Sequence, residues 1–187
     1  MNRKEVVMAG FGGQGIILAG LIIGKAAAIF DEKNATFTQD YGPEARGGAC
    51  RAQVVISDSP ISYPYVENPA VVVVMSQEAY SRYAQGLRTG ALLLVDQDLV
   101  KPKKSRNNRI LAIPATRMAQ EVGRTAVANI IMLGFFTAIT KLVSVEAMKK
   151  SVLDSVPKGT EELNMKAFER GHAYGLEKLA TEGRKDD

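Results

Sequence analysis

Two periodicities run along the chain, one suited to strands and one to helices. Glu5 to Ala9 is a short, largely apolar run closed by glycine, which predicts a buried strand of a parallel sheet. Glycines follow at 10, 12, 13 and 15. Ile17, Leu18, Leu21, Ile22 and Ala26 then recur at helical spacing, predicting a helix from about Gly13 to Phe30. Ala35 to Thr38 reads as a second strand and Asp40 to Gly48 as an ordered polar loop. Arg51 to Ser57 reads as a third strand ending in an Asp58-Ser59-Pro60 turn. Val71 to Met75 is a fully apolar strand, followed by a helix from about Ser76 to Gly86. Ala91 to Val95 and Ile110 to Ile113 are further strands, separated by the basic loop Asp96 to Asn108.

The pattern changes after Ala115. Helices are expected at Thr116 to Val122, Ala126 to Leu142, Val145 to Leu153 and Glu161 to Leu179. Strands alternating with helices, then a helical C-terminal third, predict the α/β class: a three-layer α/β/α, Rossmann-like domain. Residues 1–180 are read as one domain and 181–187 as a polar tail.

The chain has 187 residues, 46% of them hydrophobic, enough for one core. Charged residues make up 24% and the formal net charge is +4. That balance excludes wholesale disorder and gives no argument for nucleic acid. One cysteine, Cys50, excludes an internal disulfide and an iron–sulfur cluster ligated by this chain alone. One histidine, His172, leaves too few soft ligands for zinc. The longest apolar stretch, Ala126 to Thr140, falls short of a membrane span, and no signal peptide is visible. A soluble cytoplasmic protein with no membrane partner is expected.

Gly10-Phe11-Gly12-Gly13-Gln14-Gly15, between the first strand and first helix, satisfies Gly-x-Gly-x-x-Gly. Glycine permits the tight turn and lets backbone N–H groups at a helix start approach a phosphate. A dinucleotide site also wants an acid at the end of the second strand, about 20 residues on. Asp31 and Glu32 precede that strand, and Asp40 lies beyond the usual spacing. Two readings stay open: nicotinamide or flavin binding, and a tight turn packed against something else, including another subunit.

Gln39 to Gly48 is the most unusual stretch, and it should emerge at the same sheet edge as the glycine loop. Arg46, beside Gly47 and Gly48, can hold a carboxylate or phosphate with two parallel hydrogen bonds. Equally, it can pair with Glu44 or Asp40 and stiffen the loop. No Ser/His/Asp or Cys/His set accompanies it, so nucleophilic catalysis has no visible machinery.

These residues resemble a known family. Gly12-Gly13-Gln14-Gly15 after a first strand, Tyr41-Gly42-Pro43-Glu44-Ala45-Arg46-Gly47-Gly48, and Ser57-Asp58 with Ile61 look like the gamma subunit of 2-oxoacid:ferredoxin oxidoreductases. The likeness continues through Ala128-Asn129, Gly134, Asn164, Ala167, Phe168 and Gly171. Pro43-Glu44-Ala45 and the compact length look most like the 2-oxoglutarate type, within the family that includes the pyruvate and ketoisovalerate enzymes. Asn68-Pro69-Ala70 departs from relatives that carry an acid after the proline, which touches only a local turn.

The resemblance implies a subunit inactive alone. In the assembled complex, 2-oxoglutarate, CoA and oxidised ferredoxin give succinyl-CoA, carbon dioxide and reduced ferredoxin. Thiamine diphosphate and iron–sulfur clusters would sit on alpha, beta and delta partners, and CoA would bind in the complex. Ferredoxin would be met through the complex, and a homodimer could form in isolation. The implied ligand or subunit interface is Gly12, Gly13, Gln14, Gly15, Tyr41, Gly42, Glu44, Arg46, Gly47, Gly48 and Asn129, with no catalytic or metal residue. Competing expectations are a stand-alone NAD(P)-dependent oxidoreductase and a free-standing CoA-binding protein.

Several residues have plainer alternatives. Gln14 could contact a partner or cap the helix. Asn129, in an apolar helix, needs a hydrogen-bond partner, either a neighbouring loop or a ligand. Gly134 suits close helix packing, and Phe135 and Phe136 suit the core. Cys50 reads as a small core or loop residue and His172 as a surface or helix-end one. Lys101, Lys103, Lys104, Arg106 and Arg109 form a solvated loop or meet an acidic neighbour or CoA phosphates.

Overall fold

The computed structural model describes residues 3–41 and 48–183. Six strands form one mixed sheet in the order β2-β3-β1-β4-β5-β6. They are β1 (Lys4–Phe11), β2 (Asn34–Tyr41), β3 (Ala49–Ser57), β4 (Val71–Val74), β5 (Leu92–Asp96) and β6 (Arg109–Ile113). β1, β4, β5 and β6 run parallel, while β3 is antiparallel to both β1 and β2. β2 and β3 therefore pair as the two arms of a hairpin. The expected three layers are present, but the sheet is not the all-parallel sheet of a dinucleotide-binding domain.

Alternation along the strands separates two cores. Val6, Met8, Ala52, Val54, Ile56, Val71, Val73, Leu94, Leu111 and Ile113 face one layer. That layer holds α1 (Ile16–Lys25), α3 (Ala115–Val122), α4 (Ala128–Thr140), α5 (Val145–Ser155) and α6 (Glu161–Gly183). Val7, Ala9, Val72, Val74, Leu93 and Val95 face the other, where Ala79 and Tyr80 of α2 (Gln77–Tyr83) cover them. One face is thick and the other thin.

Element ends follow local chemistry. α1 starts later than its periodicity predicts, because Gly13 and Gly15 have φ of +99° and +71° and cannot belong to a right-handed helix. It ends in a π turn over Ala26–Phe30. β2 is longer than expected and takes in Asp40 and Tyr41. α2 is shorter, opening on Ser76, whose hydroxyl accepts from the Ala79 N–H at 3.1 Å. A 3-10 turn over Thr125–Val127 leads into α4. α6 runs past Leu179 to Gly183.

α4 is buried nearly all round, with Phe135 and Phe136 fully buried, and it crosses α6 at glycine. A Cβ on Gly134 would lie 2.1 Å from the Phe168 carbonyl oxygen, and one on Gly171 would lie 1.9 Å from that of Ile131. The two backbones touch, so Gly134 serves close helix packing.

Candidate functional site

The glycine turn sits where β1 ends, at the carboxyl edge of the parallel strands. Gln14 projects back into it: Oε1 accepts from the Phe11 N–H at 2.7 Å, and Nε2 donates to the Met75 carbonyl at 2.7 Å. One side chain thus ties the turn to the end of β4. A Cβ on Gly10 would lie 2.6 Å from Ile16 Cδ1 and 2.7 Å from Gln14 Oε1, so the strand must be bare there. At Gly13 a Cβ would meet nothing within 4 Å. The crest of the turn faces open space.

Asn129 lies behind the turn, 2% exposed. Its Nδ2 donates to the Gly15 carbonyl at 3.1 Å and its Oδ1 accepts from the Ile130 N–H at 2.9 Å. The amide is satisfied by a neighbouring loop and by its own helix start.

The β2–β3 pairing brings Tyr41 and Gly48, the described ends of the polar segment, to the same edge. The Gly12 N–H donates to the Gly48 carbonyl at 3.1 Å, joining the two segments directly. Gly42, Glu44, Arg46 and Gly47 lie outside the described residues. At the base of the hairpin, Asp40 pairs with Arg51, Oδ2 to Nε 3.2 Å. Tyr41 is 62% exposed and Phe11 39%, so two aromatic rings flank the turn in the isolated chain.

Beside them a recess of about 320 Å³ is lined by Gly13, Gln14, Met75, Leu99, Thr116 and Thr125, among others. Its wall is ordered by Asp96, which the sequence pattern places in a loop. This carboxylate is fully buried at the end of β5. It accepts from the Thr116 hydroxyl at 2.6 Å, the Thr116 N–H at 3.0 Å and the Asp98 N–H at 3.1 Å. Burial pushes its carboxyl above the ordinary range, against the pull of those three donors. It also sits at the amino end of α3, where negative charge is favoured. An acid ending an apolar strand was the available signal.

The remaining candidates are scattered. Cys50 is buried in β3, and burial raises its thiol, so no reactive thiolate is set up. His172 is mid-helix in α6, stacked on Phe168, rather than at a helix end. It lines a cavity of about 540 Å³ with Asp31, Lys33 and Lys141, at the edge opposite the glycine turn. Lys101, Lys103, Lys104 and Arg106 are exposed, while Arg109 pairs with Glu182 of α6. Among the described residues no group of three or more His, Cys, Asp or Glu could hold a metal ion. No described helix is long and apolar enough to cross a membrane.

The hairpin also changes what the glycine turn can offer. β3 lies between β1 and β2, so the acid at the end of β2, Asp40, stands one strand farther from the turn than in a dinucleotide fold. It is also engaged with Arg51.

Comparison with known proteins agrees over nearly the whole chain. The family described as pyruvate ferredoxin/flavodoxin oxidoreductase matches residues 5–174. The 2-oxoglutarate synthase subunit KorC of Methanocaldococcus jannaschii is 52% identical over 178 residues, covering 94% of this chain and 95% of that protein. KorC of Methanothermobacter thermautotrophicus is 49% identical over 182 residues, covering 94% and 96%. The solved gamma subunit of a keto/oxoacid ferredoxin oxidoreductase from Geobacter sulfurreducens superposes with a TM-score of 0.86 at 42% identity, covering 94% of this chain and 98% of that one. With a shared fold, shared length and this identity, the chain belongs to the pyruvate ferredoxin/flavodoxin oxidoreductase family, as a gamma subunit.

Proposed function

We propose that the chain serves a 2-oxoglutarate:ferredoxin oxidoreductase. The complex would decarboxylate 2-oxoglutarate oxidatively, pass the succinyl group to CoA and the two electrons to ferredoxin. The observation that carries this reading is the end-to-end likeness to KorC subunits. Thiamine diphosphate and the clusters would belong to the alpha, beta and delta partners, since one buried cysteine cannot supply the four thiolates a cluster takes.

In this reading the carboxyl edge is what the partners meet. Gly12 to Gly15 and the segment from Tyr41 to Gly48 form one contact surface, with Asn129 holding it from behind. Arg46 offers a planar fork to a carboxylate on a facing subunit or to a phosphate of CoA. Exposed Phe11 and Tyr41 suit an interface core, and the same edge could pair two copies when partners are absent.

Reconstitution tests it. The purified chain should neither reduce ferredoxin nor bind dinucleotides tightly. Added to its co-purified partner chains, it should restore CoA-dependent oxidation of 2-oxoglutarate in preference to pyruvate. A rate unchanged by omitting this chain would overturn the reading.

A further inference from the structure

The thin face of the sheet carries a second polar cleft. Asp40 stands opposite Arg51 there, and Thr38 opposite Gln53. The cleft holds about 240 Å³ and is lined by Arg51, Arg82 and Arg88, with Gln53, Asn68 and Tyr83. Two of the guanidiniums flank the Tyr83 ring, Arg51 at 5.1 Å and Arg82 at 5.4 Å from its centroid. Arg88 is held from its backbone, whose carbonyl accepts from Asn108 Nδ2 at 2.6 Å.

Several polar groups here are short of protein partners. Two buried hydroxyls, Tyr83 Oη in the cleft and Thr38 Oγ1 on the residue opposite Gln53, have no hydrogen bond, and Arg51 Nε has only its ion pair with Asp40. The Arg82 and Arg88 guanidiniums make no ion pair with a described residue. Glu67 lines the rim without pairing with any of the three arginines. An unsatisfied buried polar atom is destabilising, so the clustering of such atoms marks a place shaped for something other than stability.

Convergent guanidiniums repel unless an anion lies between them. One carboxylate occupies one guanidinium fork. Two free forks, the remaining N–H groups of Arg51 and the nearby amide donors match an oxyanion with more oxygens and more than one charge. We propose that this cleft binds the phosphate or pyrophosphate group of a small molecule, held by Arg51, Arg82 and Arg88. The cleft shares no lining residue with the recess beside the glycine turn, and the proposal is independent of which 2-oxoacid the complex uses.

Calorimetric titration of the full chain with inorganic pyrophosphate, in phosphate-free buffer, tests it. One saturable site is expected, with a melting temperature that rises as pyrophosphate is added. Arg82→Gln and Arg88→Gln are exposed changes that should fold normally and weaken binding about tenfold or more each. Lys150→Gln, on α5 across the sheet, should leave it unchanged. No saturable heat, or an equal loss in Lys150→Gln, would overturn the assignment. So would tighter binding of a glutamate-rich peptide than of pyrophosphate, which would make the cleft a dock for an acidic partner.

Discussion

Asn129 Nδ2 donates to the Gly15 carbonyl at 3.1 Å, and a Cβ on Gly15 would stand 2.3 Å from that same nitrogen. Each residue therefore requires the other. Gly15→Ala should cost about 2–4 kcal/mol, from left-handed strain and the collision together. Asn129→Ala should cost about 1–3 kcal/mol through lost hydrogen bonds. Combined, the two should cost less than their sum, because the collision disappears while the strain stays. Denaturant unfolding of the four proteins decides it, and strict additivity would mean the contact is not made.

The α4–α6 crossing should show a steep order of tolerance. Gly134→Ala and Gly171→Ala drive a methyl into a backbone carbonyl and should each cost about 3 kcal/mol or more. At Gly175 the nearest atom is the Ala138 side-chain methyl, at 2.6 Å, with Phe135 next at 3.3 Å. Gly175→Ala should therefore cost less. Thermal melts of the three variants give the ranking.

Glu5 holds the segment between β3 and β4. Its Oε2 accepts from the Glu67 and Asn68 N–H groups at 2.8 and 2.6 Å, and Oε1 meets Arg3 at 2.8 Å. Burial works to raise its pKa, but Arg3 and the two N–H groups outweigh it and leave the carboxyl below the ordinary range. A depressed carboxylate stabilises fully above the ordinary glutamate value, about 4.3, and loses that contribution as pH falls through the folded value. Glu5→Gln should lose about 1.5–3 kcal/mol near neutrality and flatten the acid limb of the stability curve. An unchanged acid limb would show that other groups set it.

At the carboxyl edge, Tyr41→Ser and Phe11→Ser should leave the melting temperature of the isolated chain nearly unmoved and weaken assembly by about 1–3 kcal/mol each. Pull-down with the partner chains, scored against melting temperature, separates an interface role from a folding one. Hydrogen exchange should show new protection at Gly12 to Gly15 and at Tyr41 and Gly48 on assembly.

Arg46→Lys keeps the charge and loses the fork. It should weaken assembly or raise the KM for CoA while the isolated chain melts as before. A lowered melting temperature with intact assembly would instead make Arg46 a brace for its own loop.

Apolar runs such as Val71 to Met75 announced their strands, and helical spacing announced α1 and α4, because burial imposes period on sequence. Strand direction leaves no such mark. Arg51 to Ser57 has the same pattern whether it runs parallel or antiparallel, so the hairpin and the shifted Asp40 were invisible. The glycine turn was legible because left-handed backbone selects glycine. Gln14 and Asn129 showed only as polar residues that needed partners; the partners, Met75 and Gly15, are set by the fold. Arg51, Arg82 and Arg88 meet across a hairpin and a helix end, and nothing in their spacing says so.

The glycine turn has no slack. Gly48 grips it through Gly12, Met75 through Gln14, and Asn129 through Gly15, so β3, β4 and α4 all hold the same few residues. In the proposed assembly, the contour this edge presents to a partner is therefore decided in the interior. If partners dock there as proposed, a substitution deep in α4 would spoil recognition without altering one exposed atom, and screening only the surface would miss it.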